Sequence, residues 1–152
     1  MDRAVLVFNR STIQTANPTD DHIVIQITDT RDTEFPPLST EAKDSRKGIL
    51  QLRFEDMDNS PGMYGTAVAF DYVLFSEEHA KQILDFVFKE HAQVPVILVH
   101  CEGGISRSPA VAAALTKIMG GDDSPLFQIH MPNRRVYSIL LKTWEERNNG
   151  SP

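Results

Sequence analysis

Apolar residues along this chain fall into short unbroken runs, separated by polar turns and by stretches with helical spacing. AVLVF (Ala4–Phe8) is apolar throughout and predicts a strand buried on both faces. HIVIQIT (His22–Thr28), rich in β-branched residues, predicts a second strand. ILQLRF at 49–54 and VPVILVH at 94–100 predict a third and a fourth. Residues 29–48 are polar and broken by Pro36-Pro37, which predicts a loop with a short helix after Ser39 or Thr40, either of which can cap one. The turn-rich stretch 55–65 predicts a surface loop, and the pattern from there to Phe75 predicts no element.

Helical spacing appears three times. From Ser76, a capping residue followed by Glu77 and Glu78, an apolar stripe runs through Ala80, Ile83, Leu84, Val87 and Phe88. SPAVAAALTKIMGG predicts a second helix, with Ser108 as cap, Pro109 in the first turn and Gly120-Gly121 at the end. A last helix is expected over about 132–147. Strands alternating with helices predict an α/β fold, a central and mostly parallel sheet of about four strands flanked by helices. The length, 152 residues, fits one domain over 1–152. In such sheets ligands bind beyond the C-terminal ends of the strands, an edge that here gathers the segments after Phe54 and after His100.

Composition narrows the function. Apolar residues make up 41% and charged residues 24%, as in an ordinary soluble domain. A formal net charge of −6 speaks against a nucleic-acid or anionic-membrane partner, either of which favours a basic face. No run approaches the ~18–20 apolar residues of a membrane span, and Val5–Phe8 is too short for a signal-peptide core, so a cytoplasmic location is expected. Cys101 is the single cysteine, which excludes an intrachain disulfide and a multi-cysteine zinc site. His79 and His91 lack ligand spacing, and neither a metal nor a cofactor is expected.

Chemistry concentrates in HCEGGISRS, residues 100–108, between the fourth strand and the following helix. Gly103 and Gly104 allow a tight turn close to a ligand. The amides of Glu102, Gly103, Gly104, Ile105, Ser106 and Arg107 can then form an anion nest at the positive end of that helix. Arg107 adds a planar bidentate donor for two oxygens of a phosphate or sulfate, and the same positive field favours a reactive thiolate at Cys101. Cys-x5-Arg spacing alone is weak, and a lone cysteine after an apolar strand is often a small buried hydrophobe. The strand–loop–helix setting, the glycine pair, His100 and Ser108 together favour the chemical reading.

HCEGGISRS resembles the phosphate-binding signature H-C-x5-R-S/T of the cysteine-dependent protein tyrosine and dual-specificity phosphatase superfamily. Phe54-Glu55-Asp56 and Pro132-Asn133-Arg134-Arg135 add a likeness to a group of small bacterial tyrosine-phosphatase-like proteins, over about 49–141. Glu55 stands where that group has histidine, and the stretch 62–75 looks longer than usual. The resemblance implies that Cys101 attacks phosphorus to give a phosphocysteine, while Arg107 and the loop amides stabilise the transferring group. It implies that Ser108 hydrogen-bonds the sulfur and assists its departure. His100 would orient the loop and help the thiol ionise, or else is only a core residue.

A leaving oxygen needs a positioned acid. Asp56 is the first choice, with Asp58 and Glu55 as neighbours and Asp71 more remote; acidic turn residues are otherwise solvated surface. Pro61 and Gly62 would hinge a closing loop, and Met57, Met63 and Tyr64 either wall a pocket or simply pack. Asn133, Arg134 and Arg135 either brace the phosphate loop or are exposed helix-start residues, the second being slightly favoured. The expected function is thus a phosphomonoester hydrolase for phosphotyrosine or mixed phosphoprotein substrates, inhibited by phosphate-, sulfate- or vanadate-type oxyanions. Two alternatives stand beside it. One is a phosphatase of a small-molecule, inositol or lipid phosphate, disfavoured by Glu102 and the lack of lysine in the loop. The other is a non-catalytic phosphate-binding module, disfavoured by the intact Cys101, Arg107 and Ser108.

Overall fold

A computed structural model describes residues 2–31, 34–57 and 73–149. Asp58, Pro61, Gly62, Met63, Tyr64 and Asp71 lie outside the described residues. Four strands, β1 (Ala4–Phe8), β2 (His22–Thr28), β3 (Arg46–Arg53) and β4 (Val96–His100), form one sheet in the order β1-β4-β2-β3. Every pair in it is parallel, as expected of a sheet whose strands are joined by crossovers rather than hairpins.

The two inner strands, β2 and β4, are the most buried because they are covered on both faces. All seven residues of β2 are buried, including Gln26, whose amide donates to the Pro36 carbonyl at 3.1 Å and accepts from Gln51 at 2.9 Å. A buried amide with both ends paired escapes most of the cost of burial. β1 corrects an expectation: its apolar run is not buried on both faces, since it lies at the sheet edge with Leu6 44% exposed. β3, the other edge, alternates exposed and half-buried positions over its first six residues.

Among the described residues, five helical segments surround the sheet: α1 (Arg10–Ile13), α2 (Glu77–Asp85), α3 (Arg107–Ile118), α4 (Ser124–Ile129) and α5 (Arg134–Asn149). α2 continues as a π-helical turn over Phe86–Glu90. Most of the core lies on one face, where Ile23, Ile25, Ile97 and Val99 meet Ile83, Val87, Val111, Leu115 and Leu140. Each such fully buried side chain contributes roughly 1.5–3 kcal/mol. The opposite face carries a smaller cluster of Ile13, Val24 and Leu98. Arg3 ties the end of the π turn to β1, donating to the carbonyls of Val87, His91 and Val94 at 2.8–3.0 Å.

Several boundaries differ from the sequence reading. Residues 40–45 form turns rather than a helix. α1 and α4 were not expected; α1 is set by a capping box between Asn9 and Thr12. Ser108 is not the cap of α3. That position belongs to Ser106, and Ser108 sits in the first turn, where its hydroxyl meets Cys101. No described helix is long and apolar enough to cross a membrane.

Candidate active site

Four strand ends meet at one edge: Phe8 of β1, Thr28 of β2, Arg53 of β3 and His100 of β4. The chain leaves β4 into residues 101–106 and enters α3 at Arg107. Only one glycine of the pair is required by the backbone. Gly104 has φ +66, and a Cβ there would approach the Phe8 carbonyl oxygen to 3.0 Å. A Cβ on Gly103 would meet only the Ile105 side chain at ordinary contact distance.

This turn folds the loop over Cys101, which is 2% exposed. Gly104 N–H donates to Cys101 Sγ at 3.3 Å, and Ser108 Oγ lies 3.1 Å from the same sulfur. The loop carbonyls are engaged from outside: Glu102 by Arg10 N–H, Ile105 by Met131 N–H and Ser106 by Asn133 N–H, each at 3.0 Å. A loop bound through its carbonyls offers its amides to an anion. The Glu102 carboxylate is drawn away as well, accepting from Arg10 Nη1 at 2.9 Å and Thr28 Oγ1 at 3.1 Å.

Arg107 is 5% exposed, and its guanidinium is held on one side. Nη1 donates to Asp29 Oδ1 at 2.6 Å and to the Phe54 carbonyl at 2.9 Å, whereas Nε is buried without a partner. Asp29 was missed in the sequence. Its signal was positional, since it directly follows β2 and therefore opens onto the same edge as Cys101 and Asp56.

Asp56 is exposed yet fixed to the loop. Its Oδ1 accepts from Ser106 Oγ at 2.7 Å and from Asn133 Nδ2 at 2.8 Å. Ser106 therefore spends its hydroxyl on Asp56 and makes no side-chain cap to α3. Asn133 corrects the favoured reading of exposed helix-start residues: it is 2% exposed, and its Oδ1 accepts from Val136 N–H at 3.0 Å, capping α5. Arg135 is likewise tied back, donating through Nε to the Phe75 carbonyl at 2.9 Å. Glu55 is turned elsewhere, accepting from Thr30 N–H at 2.8 Å while its backbone bridges Leu74. Met57 is half-buried.

Both ring nitrogens of His100 are buried without a hydrogen-bond partner. Burial dominates and pushes its pKa down to about 4; the adjacent Cys101 backbone, short of a hydrogen bond, opposes this and the Arg10 charge adds to it. The imidazole is therefore neutral near pH 7 and brings no positive charge to the thiol. An unfolded histidine binds a proton near pH 6.5, so the folded state gains its full advantage above that pH and loses it as pH falls towards about 4. The expected loss is roughly 3 kcal/mol by linkage. Thermal denaturation between pH 7 and 4 measures it: His100→Asn should show a shallower fall in Tm than the wild type, and parallel curves contradict the assignment. His79 sits apart from the site, stacked on Phe75 at 5.5 Å and accepting from Ser76 N–H at 3.0 Å. Among the described residues no three His, Cys, Asp or Glu side chains cluster as metal ligands would.

No protein-family model matches the chain, and no curated protein matches its sequence. Solved structures do match its fold. Human DUSP28 is 17% identical, with a TM-score of 0.56 over 97% of this chain and 95% of that one. PTPMT1 in complex with PI(5)P is 15% identical, with a TM-score of 0.57 over 99% and 96%. Tk-PTP in the active form is 17% identical, with a TM-score of 0.53 over 95% and 93%. Read with the parallel sheet and the loop that joins β4 to α3, these likenesses show that the chain has the fold of the tyrosine and dual-specificity phosphatases.

Proposed function

We propose that the chain is a metal-independent phosphomonoester hydrolase that works through a phosphocysteine at Cys101. One observation carries this reading. A single turn places the Cys101 sulfur against Gly104 N–H and Ser108 Oγ, at the start of the helix that bears Arg107. A nucleophile and an anion-binding group are thereby held in one rigid loop.

In the first step the Cys101 thiolate attacks phosphorus, the bond to the leaving oxygen breaks, and that oxygen takes a proton from Asp56. The transferring group carries its charge on three equatorial oxygens, which the loop amides and Arg107 stabilise. In the second step water attacks the phosphocysteine and gives its proton to Asp56. Inorganic phosphate leaves, and the sulfur departs as an anion stabilised by the Ser108 hydroxyl.

The favoured substrates are phosphotyrosine or mixed phosphoprotein residues. A small-molecule, inositol or lipid phosphate has one observation in its favour, the likeness to a protein solved with PI(5)P. Against it stands Glu102, which brings an acid rather than a lysine to the loop and is already spent on Arg10. The test is a panel of phosphotyrosine and phosphoserine peptides, inositol phosphates and an aryl phosphate, each assayed with and without EDTA. Turnover of phosphopeptides that persists in EDTA supports the proposal. Strict dependence on a divalent metal replaces it with metal-assisted hydrolysis, and oxyanion binding without turnover of any substrate leaves only the binding-module alternative.

A further inference from the structure

We infer that Asp29 is a positioning residue for the reaction, setting the angle at which Arg107 presents its guanidinium to the phosphoryl group. The inference rests on the phosphatase reading above and extends it to a residue outside the phosphate loop.

The guanidinium is a planar fork whose donors can serve an oxyanion from either of two edges. Its end edge pairs Nη1 with Nη2, and its side edge pairs Nε with Nη2. Here Nη1 is committed twice, to Asp29 Oδ1 at 2.6 Å and to the Phe54 carbonyl at 2.9 Å. That commitment withdraws the end edge and leaves the side edge for a ligand. Nε belongs to that edge and is the buried atom without a partner. An unpaired buried donor is costly, so an Nε held in that condition points to an acceptor supplied by a ligand.

The two acceptors on Nη1 are not equivalent. The Phe54 carbonyl is backbone and follows β3, its residue's N–H being paired with Thr28 at 3.1 Å. Asp29 supplies the charged and shorter contact, from a side chain 42% exposed to one only 6% exposed. An ordinary surface ion pair would contribute little, but this one binds a nearly dry guanidinium. Asp29 also carries an opposing influence. Its negative charge partly cancels that of Arg107 and by itself weakens anion binding. Orientation and charge therefore predict opposite consequences, and we assign orientation as the stronger. A rotation of the fork loses both hydrogen bonds to the phosphoryl oxygens, whereas Asp29 itself is partly screened by solvent.

The experiment measures kcat/KM on an aryl phosphate and the Kd for vanadate in the wild type, Asp29→Ala, Asp29→Asn and Arg107→Ala. Asn can still accept from Nη1 but carries no charge. Asp29→Ala should lose about 10–100-fold in both quantities, the scale expected when a reacting group is displaced by about 1 Å. Asp29→Asn should recover most of that loss, to within about threefold of wild type, because the acceptor and not the charge sets the angle. Equal losses in Asp29→Ala and Asp29→Asn overturn the inference, as does tighter vanadate binding in both. If Arg107→Ala binds vanadate as well as wild type does, the phosphatase reading itself fails. If Arg107→Ala loses binding and Asp29→Ala does not, only the role of Asp29 is lost. Should Asp29→Ala fail to fold, Asp29→Ser takes its place, with equality to Asp29→Asn again the overturning result.

Discussion

Cys101→Ser should abolish turnover while leaving oxyanion binding largely intact. The expected fall in kcat is on the order of 10⁴–10⁶-fold, the scale seen when the nucleophile of a covalent mechanism is removed. A serine hydroxyl is barely ionised near neutral pH, and among the described residues the side chain bonded at this position is the Ser108 hydroxyl, which is no base. The binding apparatus should survive the change, because the Arg107 contacts and the engaged loop carbonyls do not depend on sulfur, and a serine oxygen can still accept from Gly104 N–H. Binding of vanadate or inorganic phosphate to Cys101→Ser, measured by calorimetry, separates the two effects. Because the chain holds one cysteine, modification of a single thiol must inactivate the wild type, and bound phosphate must protect it. Retained turnover in Cys101→Ser removes the phosphocysteine from the mechanism.

The legible and illegible parts of this molecule divide along physical lines. β2 and β4 carry the β-branched and apolar runs HIVIQIT and VILVH because the sheet centre is covered on both faces, and that leaves a mark in the sequence. The same composition in β1 misleads: an apolar run does not say where a strand sits in the sheet, and β1 is an edge. That Cys101 and Arg107 share one strand–loop–helix turn was readable because loop and helix are local, all within a few residues. The contacts that orient them are not local. Arg107 meets Asp29 across 78 residues and Asp56 meets Asn133 across 77, and a single sequence holds no record of such pairings. Asn133 was misjudged because a polar residue before a helix is usually an exposed cap. Here it does cap α5, yet its amide nitrogen reaches Asp56 and its backbone N–H holds the loop after β4 at Ser106. Ser108 lost its expected place at the helix cap for a comparable reason, and keeps the contact with the sulfur. α3 starts two residues earlier than the best capping pattern, which frees Ser108 for the sulfur.

Asp56→Asn should slow the reaction by about 10²–10⁴-fold on a phosphotyrosine peptide, the usual contribution of a general acid. The substitution is well suited to the question. An Asn oxygen at that position can still accept from Ser106 Oγ and Asn133 Nδ2, which both bond the present Oδ1. The geometry is then preserved and only the proton is lost. Because those two donors share one oxygen, Oδ2 is the atom left to deliver the proton. A substrate whose leaving group is already a weak base departs without protonation, so a highly activated aryl phosphate should be hurt far less. The alkaline limb of the pH profile should flatten too, since that limb reports loss of the acid's proton. Asp58→Asn and Glu55→Gln should show neither effect; Glu55 is already committed to Thr30 N–H. Measuring kcat for each variant on both substrates distinguishes the assignments. If the dependence on leaving group appears in Asp58→Asn and not in Asp56→Asn, the proton comes from two residues further along the loop, and the Asp56–Ser106 bond serves to hold that loop in place. If it appears in none of the three, Asp56 is a structural brace, and the same pair of substrates applied to Asp71→Asn finds the donor.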